Sequence, residues 1–264
     1  MNTSKFVVAG GSILGSDHLY KKKNCQDAYR IYQGDDFVLA LVADGCSNQA
    51  KSEVGANLLL FWLEQEIVSK LCGKRDSLAD PDRFLHWLTV QLQSQMNVLV
   101  RGNSQQLLEY FSSTVLGILI LKEKTYIFGC GDGCFAINGV LTIKEPLDGN
   151  VPPYLVYGLL DQRSLNVPMQ DWALTLFSIV DTETVETMLL GTDGAQILLE
   201  HISLDELLSN EVLFSNPYAI GKLLFRTNRD TSHIDWEQRK TVTQKGPLDD
   251  DTTIVLIQRK KEES

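Results

Sequence analysis

Positive charge is scarce in this sequence: 24 Lys and Arg face 34 Asp and Glu, a formal charge of -10 at pH 7. Binding to a nucleic-acid backbone needs clustered cations, so DNA and RNA are not expected partners. Cysteine is sparse and odd in number. Cys25, Cys46, Cys72, Cys130 and Cys134 have neither the density of a disulfide scaffold nor the paired spacing of a zinc site, so reduced thiols in a cytoplasm are expected. Long hydrophobic runs are missing as well. The longest, Val115 to Leu121, contains a Gly and falls far short of the ~20 apolar residues that cross a bilayer; it reads as a buried strand, with no membrane partner expected. The opening MNTSKFVVAGGSILGSD has no basic segment leading into a long apolar stretch, so no signal peptide is expected.

Hydrophobic residues make up 44% and charged residues 22%, which excludes a disordered chain. A single domain over residues 1–264 is expected. Short β-prone runs at 6–9, 28–32 and 37–43, with a Gly34-Asp35-Asp36 turn between the last two, predict a hairpin whose far end carries Asp44. Residues 52–71 predict a helix covered on most sides, with Ser52 as its N-cap. Asp80-Pro81 opens a second helix with a stripe of Phe84, Leu88, Leu92, Met96 and Leu99, ended by Gly102-Asn103. Strands at 113–121, 125–130, 134–138 and 140–144, joined by tight turns, predict an antiparallel meander. Residues 145–171 carry four prolines and no sustained period, and read as a loop or flap. Strands at 174–179, 186–191 and 252–258, with helices at 204–208 and 217–225, complete an α+β layered pattern.

Four aspartates sit at strand ends beside Gly or another Asp: Asp27, Asp44 in Val-Ala-Asp-Gly, Asp193 in Thr-Asp-Gly, and Asp250 in Asp-Asp-Asp-Thr-Thr. Each alone is a common turn former. Together they form a set of hard oxygen donors of the kind that divalent cations take. Spacing along the chain leaves open whether they converge.

In order, Asn24 to Ala28 (NCQDA), Val42 to Gly45 (VADG), Ser52 to Ala56 (SEVGA), Ser112 to Thr114 (SST), Gly131 to Gly133 (GDG), Thr192 to Gly194 (TDG) and Asp250 to Ile254 (DDTTI) resemble the metal-dependent serine/threonine protein phosphatases, PPM or type 2C, in their compact bacterial form. The resemblance covers about residues 10 to 258. It implies a four-layer αββα sandwich of two antiparallel sheets flanked by helix pairs. It also implies two Mg2+ or Mn2+ ions held by Asp44, the Gly45 carbonyl, Asp193 and Asp250, with Asp27 acting through water and Asp249 or Asp251 as alternatives if the register shifts. A water bridging the two ions would then attack phosphoserine or phosphothreonine in a phosphoprotein, with no Cys or Ser nucleophile. Asp132 matches a third, weaker site, although Ile197 stands where a further Asp is expected. The phosphate-binding arginine is replaced by Lys21, Lys22 and Lys23, with Lys22 the first choice and His18 close by. Cys46 occupies a position where some relatives carry an acid-catalytic His. These two departures keep a second expectation open, a pseudophosphatase that binds a phosphoprotein without turnover. A monomer is expected.

Overall fold

The computed structural model describes residues 5–72, 78–147, 152–161 and 172–260. Strand β3 (Val38–Ala43) contains no polar residue because both of its faces are covered. Leu39, Leu41 and Ala43 enter a core shared with helices, while Val38, Ala40 and Val42 enter a second core shared with another sheet. The same alternation divides β4 (Val115–Ile120), whose Leu116, Ile118 and Ile120 also face that second sheet.

One sheet runs β2 (Ala28–Gln33), β3, β4, β5 (Lys124–Cys130), β8 (Thr175–Asp181). The other runs β1 (Phe6–Ile13), β12 (Thr252–Arg259), β9 (Thr187–Gly191), β6 (Gly133–Ile137), β7 (Val140–Lys144). All neighbours are antiparallel. Helices α2 (Ser52–Leu71), α3 (Pro81–Leu99) and α4 (Ser104–Phe111) cover the first sheet. Helices α5 (Gly194–His201), α6 (Leu204–Ser209) and α7 (Ala219–Thr227) cover the second. The result is an αββα sandwich with three layers of core. No described helix is long and apolar enough to cross a membrane.

Several sequence-based expectations are corrected. Helix α2 is not covered on most sides: Ala56, Leu59, Leu60, Leu63 and Ile67 are buried, while Val54 and Phe61 are exposed. Ser52 does not cap it. Its hydroxyl donates to the Cys46 carbonyl at 3.1 Å, because the residue is buried under the 45–49 loop. The α3 stripe centres on Leu85, Leu88, Leu92 and Met96, leaving Leu99 exposed. Asn103, read as a helix stop, is the N-cap of α4, its side chain accepting from the Gln106 N–H at 3.0 Å. A polar hairpin, β10 (Thr231–Asp235) with β11 (Lys240–Gln244), escaped detection because most of its residues are exposed and it has no apolar alternation. Of the expected flap, residues 148–151 and 162–171 lie outside the described residues. Tyr154, Tyr157 and Trp172 are buried in the helix-side core, so they anchor this region to the body.

Where α2 crosses α4, Gly55 is required by contact: a Cβ there would lie 1.6 Å from the Tyr110 carbonyl oxygen. The clash is with backbone, which cannot rotate away. Gly55→Ala is expected to lower stability by about 3 kcal/mol, at the upper end of overpacking costs, or to prevent folding; urea denaturation of the variant beside the parent measures this.

Candidate active site

The register places the chemistry-bearing residues at one end of the sandwich. Ala28 pairs with Ala43, so Asp27 and Asp44, the next residues out, emerge together from β2 and β3. Gly191 pairs with both Ile254 and Cys134, which brings Thr192-Asp193, the 250–253 segment and the Gly131-Asp132-Gly133 turn to the same end. That turn needs its glycines, with φ of 114° at Gly131 and 127° at Gly133.

Each carboxylate is held by its neighbours. Thr114 clamps the Asp44 backbone: its hydroxyl accepts from the Asp44 N–H at 3.2 Å, and its own N–H donates to the Asp44 carbonyl at 2.9 Å. The next residue must be small, since a Cβ at Gly45 would lie 2.8 Å from the Gln26 carbonyl and the Ser52 hydroxyl. Asp27, buried, accepts from the Thr192 hydroxyl at 2.7 Å, a bond between the two sheets. Its second oxygen, Oδ1, is buried with no hydrogen-bond partner among the described residues, as is Oδ1 of Asp132. Asp193 starts α5 and accepts from the Gly194 N–H at 2.7 Å. None of these carboxylates forms an ion pair with a described Lys or Arg.

Burial and mutual repulsion raise the proton affinity of the whole set. Burial pushes Asp27 to about 8, with repulsion from Asp251 and Asp193 adding to it. Burial drives Asp44 well above the usual carboxylate range, helped by Asp27, Asp193, Asp250 and Asp132. Asp132 rises to about 7 and Asp193 to about 6, again chiefly through burial. Asp250 is raised for the same reason. Such a group of oxygens can share protons or hold cations. Among the described residues no three His, Cys, Asp or Glu side chains close on one ion-sized point, so any cation would complete its shell with backbone oxygen or water.

The three consecutive aspartates differ in their surroundings. Asp249 and Asp250 line a cleft of about 320 Å3 with His18, Lys21, Ser47 and Asp193. Asp251 is buried and fully used: Oδ1 accepts from the Gly15 N–H at 2.8 Å, and Oδ2 from the Gln26 N–H at 2.6 Å and from His18 Nδ1 at 2.9 Å. It therefore ties α1 (Ser16–Lys21) and the segment before β2 to the start of β12. Nothing in the sequence marked this role, because a third Asp in a row looks like the other two. Gln26 is a further hub, its amide donating to the Gln49 carbonyl at 2.9 Å and to the Ser52 hydroxyl. Lys21 reaches the cleft, whereas Lys23 is bound to the Ser47 carbonyl and Lys22 is exposed at the left-handed end of α1.

No curated protein sequence matches the chain. Among solved structures, the serine/threonine phosphatase Stp1 from Staphylococcus aureus superposes with a TM-score of 0.57 at 12% identity, covering 96% of this chain and 95% of that one. The Mycobacterium tuberculosis serine/threonine phosphatase PstP/Ppp gives 0.54 at 18% identity, covering 97% and 99%. The catalytic domain of PstP in complex with two manganese ions gives 0.53 at 17%, covering 96% and 97%. These likenesses establish the shared fold. A family model described as protein phosphatase 2C matches residues 14–228, from the turn after β1 through α7, and with that match over most of its length the chain belongs to the protein phosphatase 2C family.

Proposed function

We propose that this protein hydrolyses phosphoserine and phosphothreonine in proteins with the help of two Mn2+ or Mg2+ ions, as one catalytic domain acting in the cytoplasm as a monomer. The observation that carries the reading is the meeting of Asp27, Asp44, Asp132, Asp193 and Asp250 at one end of a type 2C fold. The residues fit such ions. They offer hard oxygen donors, two of them buried with an oxygen that has no partner among the described residues, and their repulsion is of the kind that divalent charge relieves. The manganese-loaded PstP domain shares this fold.

Asp44, the Gly45 carbonyl, Asp193 and Asp250 would hold the ions, with further backbone oxygen or water filling their shells. Asp27, oriented by Thr192, would act through water, and Asp132 is the one carboxylate left for a weaker third ion. Bound ions would supply charge neutralisation of the phosphoryl oxygens and acidification of an attacking water. Lys21 and His18, lining the cleft, would meet the substrate phosphate. Asp251 is assigned no ligand role, because its oxygens already serve three donors.

Phosphate release from a phosphothreonine peptide is expected with Mn2+, to vanish with chelator, and to fall more than about a hundredfold in Asp44→Ala and Asp193→Ala, since each loses several kcal/mol of transition-state stabilisation. Undiminished release in the variants would remove the assignment; metal binding by calorimetry without turnover on any phosphopeptide would favour the pseudophosphatase instead.

A second outcome concerns the metal-free protein. An acid whose folded pKa is raised contributes stability that is complete below its unfolded value, 3.8 for Asp27, and lost as pH rises through the folded value of about 8. With chelator present, the melting temperature is expected to fall between pH 5 and about 8. Differential scanning fluorimetry checks this, and added Mn2+ is expected to restore more stability at the upper end of the range than at the lower.

A further inference from the structure

A groove of about 480 Å3, larger than the acidic cleft, lies between α7 and the adjoining strands β1 and β2. Its walls are Tyr29, Tyr218 and Phe225, and Lys222 and Arg226 stand on the α7 side. The spacing of Tyr218, Lys222, Phe225 and Arg226 puts them on one helix face, while Ile220 and Leu224 face the core. That exposed face does nothing for packing: Tyr218 is 72% and Phe225 65% accessible. Exposed aromatic rings flanked by cations are a feature of recognition surfaces.

The charges point the same way. Arg30, Lys51, Lys124 and Arg259 each pair with a carboxylate, as expected in a chain with an excess of acid. Lys222 and Arg226 form no ion pair with a described residue, so a positive rim is left open on a protein of net charge -10. The floor is open as well. A Cβ at Gly221 would meet nothing within 4 Å, so this glycine is not demanded by packing and leaves space instead.

The groove also lies close to the acidic cluster. Ser12, which lines it, accepts from the Thr253 hydroxyl at 2.7 Å. Asp250 is three residues before Thr253, which pairs with Ser12 across β1 and β12. A strand spacing of about 5 Å plus a chain reach of at most about 11 Å puts Asp250 within about 16 Å of the groove edge. A walled pocket buries most of a small ligand, whereas rings this exposed would leave one largely in water. An extended peptide crossing the surface fits better.

We propose that this groove seats an acidic segment of the phosphoprotein substrate, carrying an aromatic or large aliphatic side chain about four to six residues from the phosphorylated residue, the distance an extended chain needs to span the gap. The proposal rests on the phosphatase reading above. The side chain enters over Gly221 between Tyr29 and Phe225, and flanking carboxylates meet Lys222 and Arg226.

The test uses two phosphothreonine peptides of equal length, one bearing Asp-Phe-Glu five residues from the phosphothreonine on either side and one bearing Gly-Ser-Gly there. Gly221→Trp fills the groove, and Lys222→Glu with Arg226→Glu reverses its charge. For the anchored peptide KM is expected to be lower in the parent and to rise about tenfold in both variants with kcat unchanged, a change of about 1.4 kcal/mol. The unanchored peptide and p-nitrophenyl phosphate are expected to be hydrolysed alike by all three proteins. Equal KM for the two peptides in the parent, or variants that impair both peptides equally, overturns the groove. A parent with no turnover on any of these overturns the phosphatase reading instead. Fluorescence anisotropy of the anchored peptide then decides the groove separately: binding weakened in both variants supports it, and equal binding by all three proteins overturns it.

Discussion

The gathering of five carboxylates, two of them buried and three half-buried, at one end of the sandwich is the constraint around which this molecule is arranged. Burial comes first in raising the proton affinity of Asp27, Asp44, Asp132, Asp193 and Asp250, and repulsion from neighbouring carboxylates adds to it. Folding alone would not favour that arrangement, since each charge would be better solvated apart. It persists because two antiparallel sheets, registered through Ala28 with Ala43 and Gly191 with Ile254, leave these residues no other place to go. The cores that fix the sheets are apolar on both faces of β3 and β4, so the packing that sets the register is separate from the charged end, whose ionisation acts on stability and not on topology.

Polar residues without a part in the proposed chemistry brace that end. Asp251 accepts three hydrogen bonds that join α1, the segment before β2 and the start of β12. Thr192 ties one sheet to the other through Asp27, and Thr114 holds the Asp44 backbone from two sides. Gln26 ties the segment before β2 to the 45–49 loop and to the N-terminus of α2. The cations are arranged differently. Lys21 faces the cleft, Lys23 is occupied by a carbonyl, and Lys222 and Arg226, with no ion pair to a described residue, stand along a separate groove.

Much of this was legible residue by residue. Val-Ala-Asp-Gly, Thr-Asp-Gly and Asp-Asp-Asp-Thr-Thr announce carboxylates at strand ends because a hydrophobic run stopping at Asp-Gly has few other readings. Helix α3 was legible from Asp80-Pro81 and a spaced apolar stripe. Helix α4 was not, since Asn103 serves equally as an end and as a beginning. The β10–β11 hairpin carries no hydrophobic period to read.

By itself, the sequence determined an α+β layered pattern and the aspartates at strand ends, because strand periodicity and turn chemistry are local properties that a chain displays in order. The sandwich of two sheets was what the family resemblance implied. Only the tertiary structure decided that two of three consecutive aspartates line the cleft while the third is spent on hydrogen bonds, which of three lysines reaches it, and that Tyr154 and Tyr157 anchor a core. Those outcomes depend on what approaches from distant parts of the chain, Gly15, His18 and Gln26 above all, and neighbours brought together by folding leave no mark in local spacing.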